Sequence, residues 1–218
     1  VAFKAIDGGY VHTCAVTTAG AVQCWGGNYG GSLGDGTDTE RHTPVPVTGL
    51  TGVVGVAGGL VHSCAWTASG PGYCWGANPA GQLGDGSRNW SLTPVPVSLV
   101  PRFVAMTVGP EHTCGITDGG EVRCWGQGGS GQLGNGTRSM ETQPALVPGI
   151  NGPVAIAAGN RHTCVTTSSG QAYCWGDLGY GQLGNGEVAF RLSPVPVSAG
   201  PAALAAVTAG RWFTCGAS

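Results

Sequence analysis

The residues in this sequence whose types and spacing suit chemistry are thiols and imidazoles. Eight of its nine cysteines form four pairs, each with nine residues between the partners: Cys14 and Cys24, Cys64 and Cys74, Cys114 and Cys124, Cys164 and Cys174. Two residues before each pair stands a histidine: His12, His62, His112 and His162. Such a set is open to three chemistries. Paired thiols can oxidise to disulfides, which belong to an oxidising compartment. They can remain reduced and pack as small apolar residues. Alternatively, His12, Cys14 and Cys24 can supply three metal ligands, because residues at i and i+2 share a strand face. No Cys-x2-Cys knuckle, recurring fourth ligand or Cys-x-x-Cys-His haem site accompanies them. The regular pairing favours disulfides, and no metal or other cofactor is expected.

The histidines do not read as catalytic. They are equivalent by repeat, and no acid recurs beside them. A catalytic site usually breaks symmetry, whereas a scaffold residue keeps it. A structural role follows, with an imidazole nitrogen bonded to backbone near the start of a strand. Acids are few and scattered, and no nucleophile stands with a base, so no catalytic residue and no enzyme are expected.

The elements that must position these groups follow from an internal period of about fifty residues. Gly-x-x-His-[Thr/Ser]-Cys begins at Gly9, Gly59, Gly109 and Gly159, and a fifth copy at Gly210 carries Phe213 in the histidine position. Cys-Trp-Gly follows at Cys24, Cys74, Cys124 and Cys174, then a Gly-x-Leu-Gly-[Asp/Asn]-Gly turn, then a proline-marked strand such as Pro44-Val45-Pro46-Val47. In the second copy, strands are expected over residues 53–57, 62–67, 73–75 and 95–97. The last suits a sheet edge, where proline forfeits no ladder donor. No stretch has helical periodicity. The expected fold is all-β: a propeller of four-stranded blades in one domain spanning residues 1–218. Its repeats run approximately 1–50, 51–100, 101–150 and 151–201, with a partial fifth at 202–218. If a hairpin turns at Ala19-Gly20, Val16 faces Val22 and Cys14 faces Cys24, within reach of a cross-strand bridge. Segments 1–26 and 202–218 supply the same part of a blade, and Cys215 lacks a partner near position 225. The chain is therefore expected to continue past Ser218, with room for blades before Val1.

Gly-x-x-His-Thr-Cys-Ala-Val-Thr, Gly-x-Val-x-Cys-Trp-Gly and Tyr-Gly-Gln-Leu-Gly-Asn-Gly together resemble the repeat of the regulator of chromosome condensation family, over essentially the whole chain. The resemblance implies a β-propeller, usually of seven blades, that acts as a protein-binding platform. One eukaryotic branch of that family exchanges nucleotide on a small GTPase while docked on chromatin, and a secreted bacterial branch inhibits β-lactamases. Two departures favour a disulfide-rich, bacterial-like secreted member. Cysteine pairs replace ordinarily apolar or small residues, and the basic character of a chromatin binder is missing. The chain has 9 Lys and Arg against 11 Asp and Glu, for a net charge of −2. That is too few clustered cations for phosphate neutralisation, so no nucleic-acid partner is expected. No apolar run reaches the ~18 residues of a transmembrane segment. The expected location is secreted, periplasmic or cell-surface.

The recurring Trp25, Trp75, Trp125 and Trp175 are expected to pack between blades; an exposed platform for glycans is the sharper alternative. Asp35, Asp85, Asn135 and Asn185 suit Asx turns rather than calcium loops. Positions that differ between copies are the candidates for partners: Tyr29, Arg88, Trp90, Met140, Tyr180, Phe190, Arg191 and Trp212. Exposed Trp, Tyr, Met and Arg are typical of interfaces, although Trp90, Phe190 and Met140 can equally tuck under their own loops. The function expected is a non-enzymatic, extracytoplasmic binding or scaffolding propeller that engages another protein through face loops, as an accessory subunit of a larger assembly. A secreted enzyme inhibitor or a glycan-binding surface protein are the alternatives.

Overall fold

The computed structural model describes residues 1–100, 102–187, 189–198 and 203–218. Four blades repeat one plan. The first comprises β1 (Phe3–Gly8), β2 (His12–Thr17), β3 (Val22–Gly26) and β4 (Arg41–Pro46); the second β5 (Val53–Gly58), β6 (His62–Thr67), β7 (Gly72–Gly76) and β8 (Ser91–Pro96). The third holds β9 (Phe103–Val108), β10 (His112–Thr117), β11 (Val122–Gly126) and β12 (Glu141–Leu146). The fourth holds β13 (Pro153–Ala158), β14 (His162–Thr167), β15 (Ala172–Gly176) and β16 (Arg191–Pro196). A two-stranded fifth sheet pairs β17 (Ala206–Ala209) with β18 (Thr214–Ala217). Each blade is an antiparallel meander, with the first strand innermost and the proline-bearing fourth strand at the outer edge.

The hairpin register is the one the sequence predicts: Cys14 lies opposite Cys24 and Val16 opposite Val22. All four pairs are disulfides with Cα atoms 4.1 Å apart, and their cysteines are buried. Cys215 is exposed and free. Alkylation of the unreduced, denatured protein should therefore block one thiol, and prior reduction should expose nine. The intact mass should rise by about eight hydrogens on reduction, and a mass that does not change would mean the bridges are absent.

The outer strand starts earlier than its prolines suggest. It begins at Ser91, opposite Gly76, across an irregularity between Cys74 and Gly76. Residues 91–93 and their equivalents thus belong to strands rather than to loops. They carry no regular alternation because the register of the outer strand shifts within this stretch.

Blades are locked by a repeated device that uses the constant positions. Trp75, Trp125 and Trp175 are fully buried, and each indole donates to a carbonyl in the preceding blade's glycine-rich turn: Ser32, Gln82 and Gln132, at 2.9 Å. Trp25 in the first blade is half-buried. The turn has to be bare where the ring lands. Gly84 has φ +71°, and a Cβ there would lie 2.5 Å from the Trp125 indole nitrogen. Gly84→Ala combines that clash with a left-handed backbone and should lower the stability by more than ~1 kcal/mol, read as a denaturant midpoint. A second close approach lines the axis, where a Cβ on Gly59 or Gly159 would lie 2.7 Å from the next blade's Gly109 or Gly210 carbonyl oxygen.

The histidines belong to the same lock, although not through backbone as expected. Nε2 of His12, His62, His112 and His162 meets a hydroxyl of the next blade: Ser63, Thr113, Thr163 and Thr214, at 2.7–3.0 Å. Each hydroxyl donates in turn to a turn carbonyl of the histidine's own blade, at 2.8–2.9 Å. With its single proton committed there, the hydroxyl can only accept from the imidazole, so Nε2 carries the ring proton. Nδ1 is buried without a partner among the described residues. The partner differs from expectation because the backbone at the strand start is already paired; Gly59 N–H, for one, donates to His62 O. Burial drives all four pKa values down, to about 4 for His12 and His162 and about 3 for His62 and His112.

Candidate partner-binding face

The meander places the loop between first and second strands, and the loop between third and fourth, at the same end of every blade. Tyr29, Arg88, Trp90, Met140, Tyr180 and Phe190 lie in the second kind of loop, Trp212 lies in the first kind, and Arg191 begins β16 at that end. The eight positions singled out by their variability therefore gather on one face.

Their surroundings separate them. Trp90, Phe190 and Met140 are 52%, 45% and 40% exposed, so none is tucked away. Trp90 leans on Tyr29 of the preceding blade, with ring centroids 6.0 Å apart. Phe190 lies under the Arg138 guanidinium of the preceding blade, at 4.4 Å. Tyr180 and Trp212 form a third pair at 5.1 Å, with Arg211 over the indole at 5.3 Å. Each pair bridges consecutive blades, and such aromatic and cation–π contacts hold rings in place while leaving area free for a partner. Arg88 fastens to its own loop through Nε to the Pro79 carbonyl at 2.6 Å. Arg191 is ion-paired with Glu187.

Sequence reasoning missed the residues that shape these loops. Asn28 accepts from the Leu33 amide at 2.9 Å and donates to the Thr37 and Thr39 carbonyls. Asn78 repeats the contact with Leu83 at 3.0 Å. The third and fourth blades have Gly128 and Leu178 there instead. An asparagine recurring fifty residues on is the signal that points to them. The Asx turns are present: Asp35, Asp85, Asn135 and Asn185 accept from the amide two residues ahead, at 2.9–3.2 Å. Among the described residues no cluster of three metal-ligating side chains exists, and no helix is long and apolar enough to cross a membrane.

Among the hollows these loops line, two adjoin each other towards the axis. One, of about 480 Å³, follows the propeller axis between the innermost strands, and its wall is largely glycine, alanine and valine. The other, of about 500 Å³, lies beside it and is more polar, with Glu111, Gln127, Arg161 and Arg211 in its lining.

Four-stranded meanders arranged around an axis and locked blade to blade define a β-propeller. The Regulator of chromosome condensation (RCC1) repeat matches residues 19–66, 70–116, 119–166 and 169–217, and a second form of that repeat matches residues 3–31, 103–132 and 154–182. The chain belongs to the RCC1 repeat family. Comparison with curated proteins gives no match. Among solved structures, human WBSCR16 superposes with a TM-score of 0.88 at 23% identity, over 98% of this chain and 57% of that one. Prp20p from Saccharomyces cerevisiae gives 0.82 at 21%, over 97% and 54%. The CRINKLY WD40 ectodomain of the Arabidopsis thaliana receptor kinase ACR4 gives 0.57 at 22%, over 97% and 58%. At these identities the likeness is one of fold. The chain spans little more than half the length of these structures.

Proposed function

We propose that the chain is a non-enzymatic, extracytoplasmic binding propeller that engages another protein through the face carrying the β1–β2 and β3–β4 type loops. The observation that carries this proposal is the concentration there of exposed aromatic rings, each braced by the neighbouring blade: Trp90 on Tyr29, Phe190 under Arg138, Trp212 on Tyr180. Rigid aromatic and arginine anchors are the residues that dominate interface energies. The constant histidines and tryptophans are spent on holding blades together and are not free for chemistry. Four buried disulfides favour an oxidising compartment, as secreted, periplasmic or surface proteins experience. Solved structures of the same fold give both elements a precedent. Prp20p was crystallised together with a study of its binding to Gsp1p and histones, and the plant receptor domain is an ectodomain. A complete ring of seven blades, acting as an accessory subunit, fits this role.

Native capture from an extracytoplasmic fraction, read by mass spectrometry, should return a stoichiometric protein partner. Trp90→Ala combined with Phe190→Ala should weaken that capture at least tenfold without moving the thermal midpoint. Capture that is unchanged by the double variant would refute the face assignment.

A further inference from the structure

We propose that the hollow beside the innermost strands, together with its polar neighbour, takes a partner segment presenting an apolar side chain beside a carboxylate. This deepens the protein-binding role above and rests on it. The two hollows on the binding face are continuous, because Leu60, Pro110, Asn160 and Arg211 line both. The axial part offers Gly58, Val108 and Ala158 as walls, with larger side chains only at its rim, so it suits an apolar group of modest size. The neighbouring part offers charge. Arg161 and Arg211 are exposed, and neither has a carboxylate within ion-pair distance among the described residues. The four such pairs there belong to Arg41, His42, Arg123 and Arg191. Asp177, whose amide donates to the Arg161 carbonyl at 2.8 Å, turns its own carboxylate to the Gly179 amide.

Glu111 is the one acid lining that hollow, against two guanidiniums. The balance favours an incoming anion, and a guanidinium recognises a carboxylate through two parallel N–H donors, which a single ammonium cannot reproduce. Arg211 lies over the Trp212 indole, which limits the directions its plane can take. Glu111 then selects orientation, because it accepts from an amide or cation on one side of the segment and repels a second acid placed there. A lysine beside the apolar residue would meet Arg161 and Arg211 directly and be excluded.

The probes are three fluorescent cyclic octapeptides, identical except for a central Phe-Glu, Phe-Gln or Ala-Glu. Anisotropy titration should show Phe-Glu binding at least tenfold tighter than either of the others. Arg161→Gln with Arg211→Gln should reduce Phe-Glu binding to the Phe-Gln level, and Thr18→Ala, in an exposed turn of the opposite face, should leave it unchanged. Equal binding of the three peptides, no binding of Phe-Glu up to about 1 mM, or indifference to the arginine pair would overturn the inference. Partner capture that survives the arginine pair but fails with Trp90→Ala and Phe190→Ala would also overturn it, while leaving the protein-binding role intact.

Discussion

Trp125→Ala should destabilise the protein by about 3–5 kcal/mol, the range for truncating a fully buried large aromatic. The ring has no exposed surface, lies against Phe103 in a buried cluster that includes Leu83 and Val97, and donates to the Gln82 carbonyl. Its removal empties the seat formed at Gly84 and takes the indole donor from the Gln82 carbonyl, which keeps the Thr113 hydroxyl. Trp25→Ala supplies the contrast. That ring is half-buried, and its recorded aromatic neighbour is Phe3 of its own blade at 6.4 Å. The same substitution there should cost well under half as much. Urea midpoints of the two variants measure the difference. Equal losses would mean that the tryptophans act within blades and do not lock one blade to the next.

Acidification should unfold the protein steeply. The imidazoles of His12, His62, His112 and His162 are held neutral by burial, with His62 pressed further by His112 and His12. Their folded pKa values lie below the ordinary value of 6.5. Protonation therefore favours the unfolded chain. The associated stability is complete above pH 6.5 and is lost as pH falls from there towards the folded values of about 4 and about 3. Within that window each buried imidazole contributes a slope of up to ~1.4 kcal/mol per pH unit. Asp7, raised by burial against its hydrogen bonds from Gly58 and Gly8, works in the opposite sense, but as one group against four. Denaturant midpoints between pH 7.5 and pH 4.5 should fall steadily, and His112→Gln should reduce the slope by about a quarter while lowering stability at neutral pH. A flat profile in the wild type would mean that the imidazoles are hydrated.

Much of this architecture is legible in the residues themselves. Fixed spacing, the Cys14–Cys24 register and the edge prolines are local properties, so periodicity exposes them directly. The histidine contacts are not local. His62 finds Thr113, fifty-one residues on, and its role becomes visible only when neighbouring blades are set side by side. The start of the outer strand escapes notice for another reason: Ser91 pairs with Gly76, but the register shifts between there and Val95, so the residues before the prolines keep no regular alternation. The candidate site divides in the same way. Tyr29, Trp90 and Phe190 stand out because the copies disagree there. Their convergence on one face follows from strand parity; Arg161 and Arg211 also vary between copies, but that they lack carboxylate partners among the described residues shows only once the charges around them are placed.

A two-face substitution series, with stability and partner capture measured on every variant, tests the central claim most directly. The claim is that constant positions hold the blades and variable positions bind. Trp125→Ala and His112→Gln should lower the denaturant midpoint. Trp90→Ala, Phe190→Ala and the Arg161, Arg211 pair should leave that midpoint in place and lose capture, while substitutions at the exposed Thr18 and Ala19 in the β2–β3 turn of the opposite face should change neither. Face variants that unfold the protein, or capture that depends on the opposite turns instead, would contradict the account.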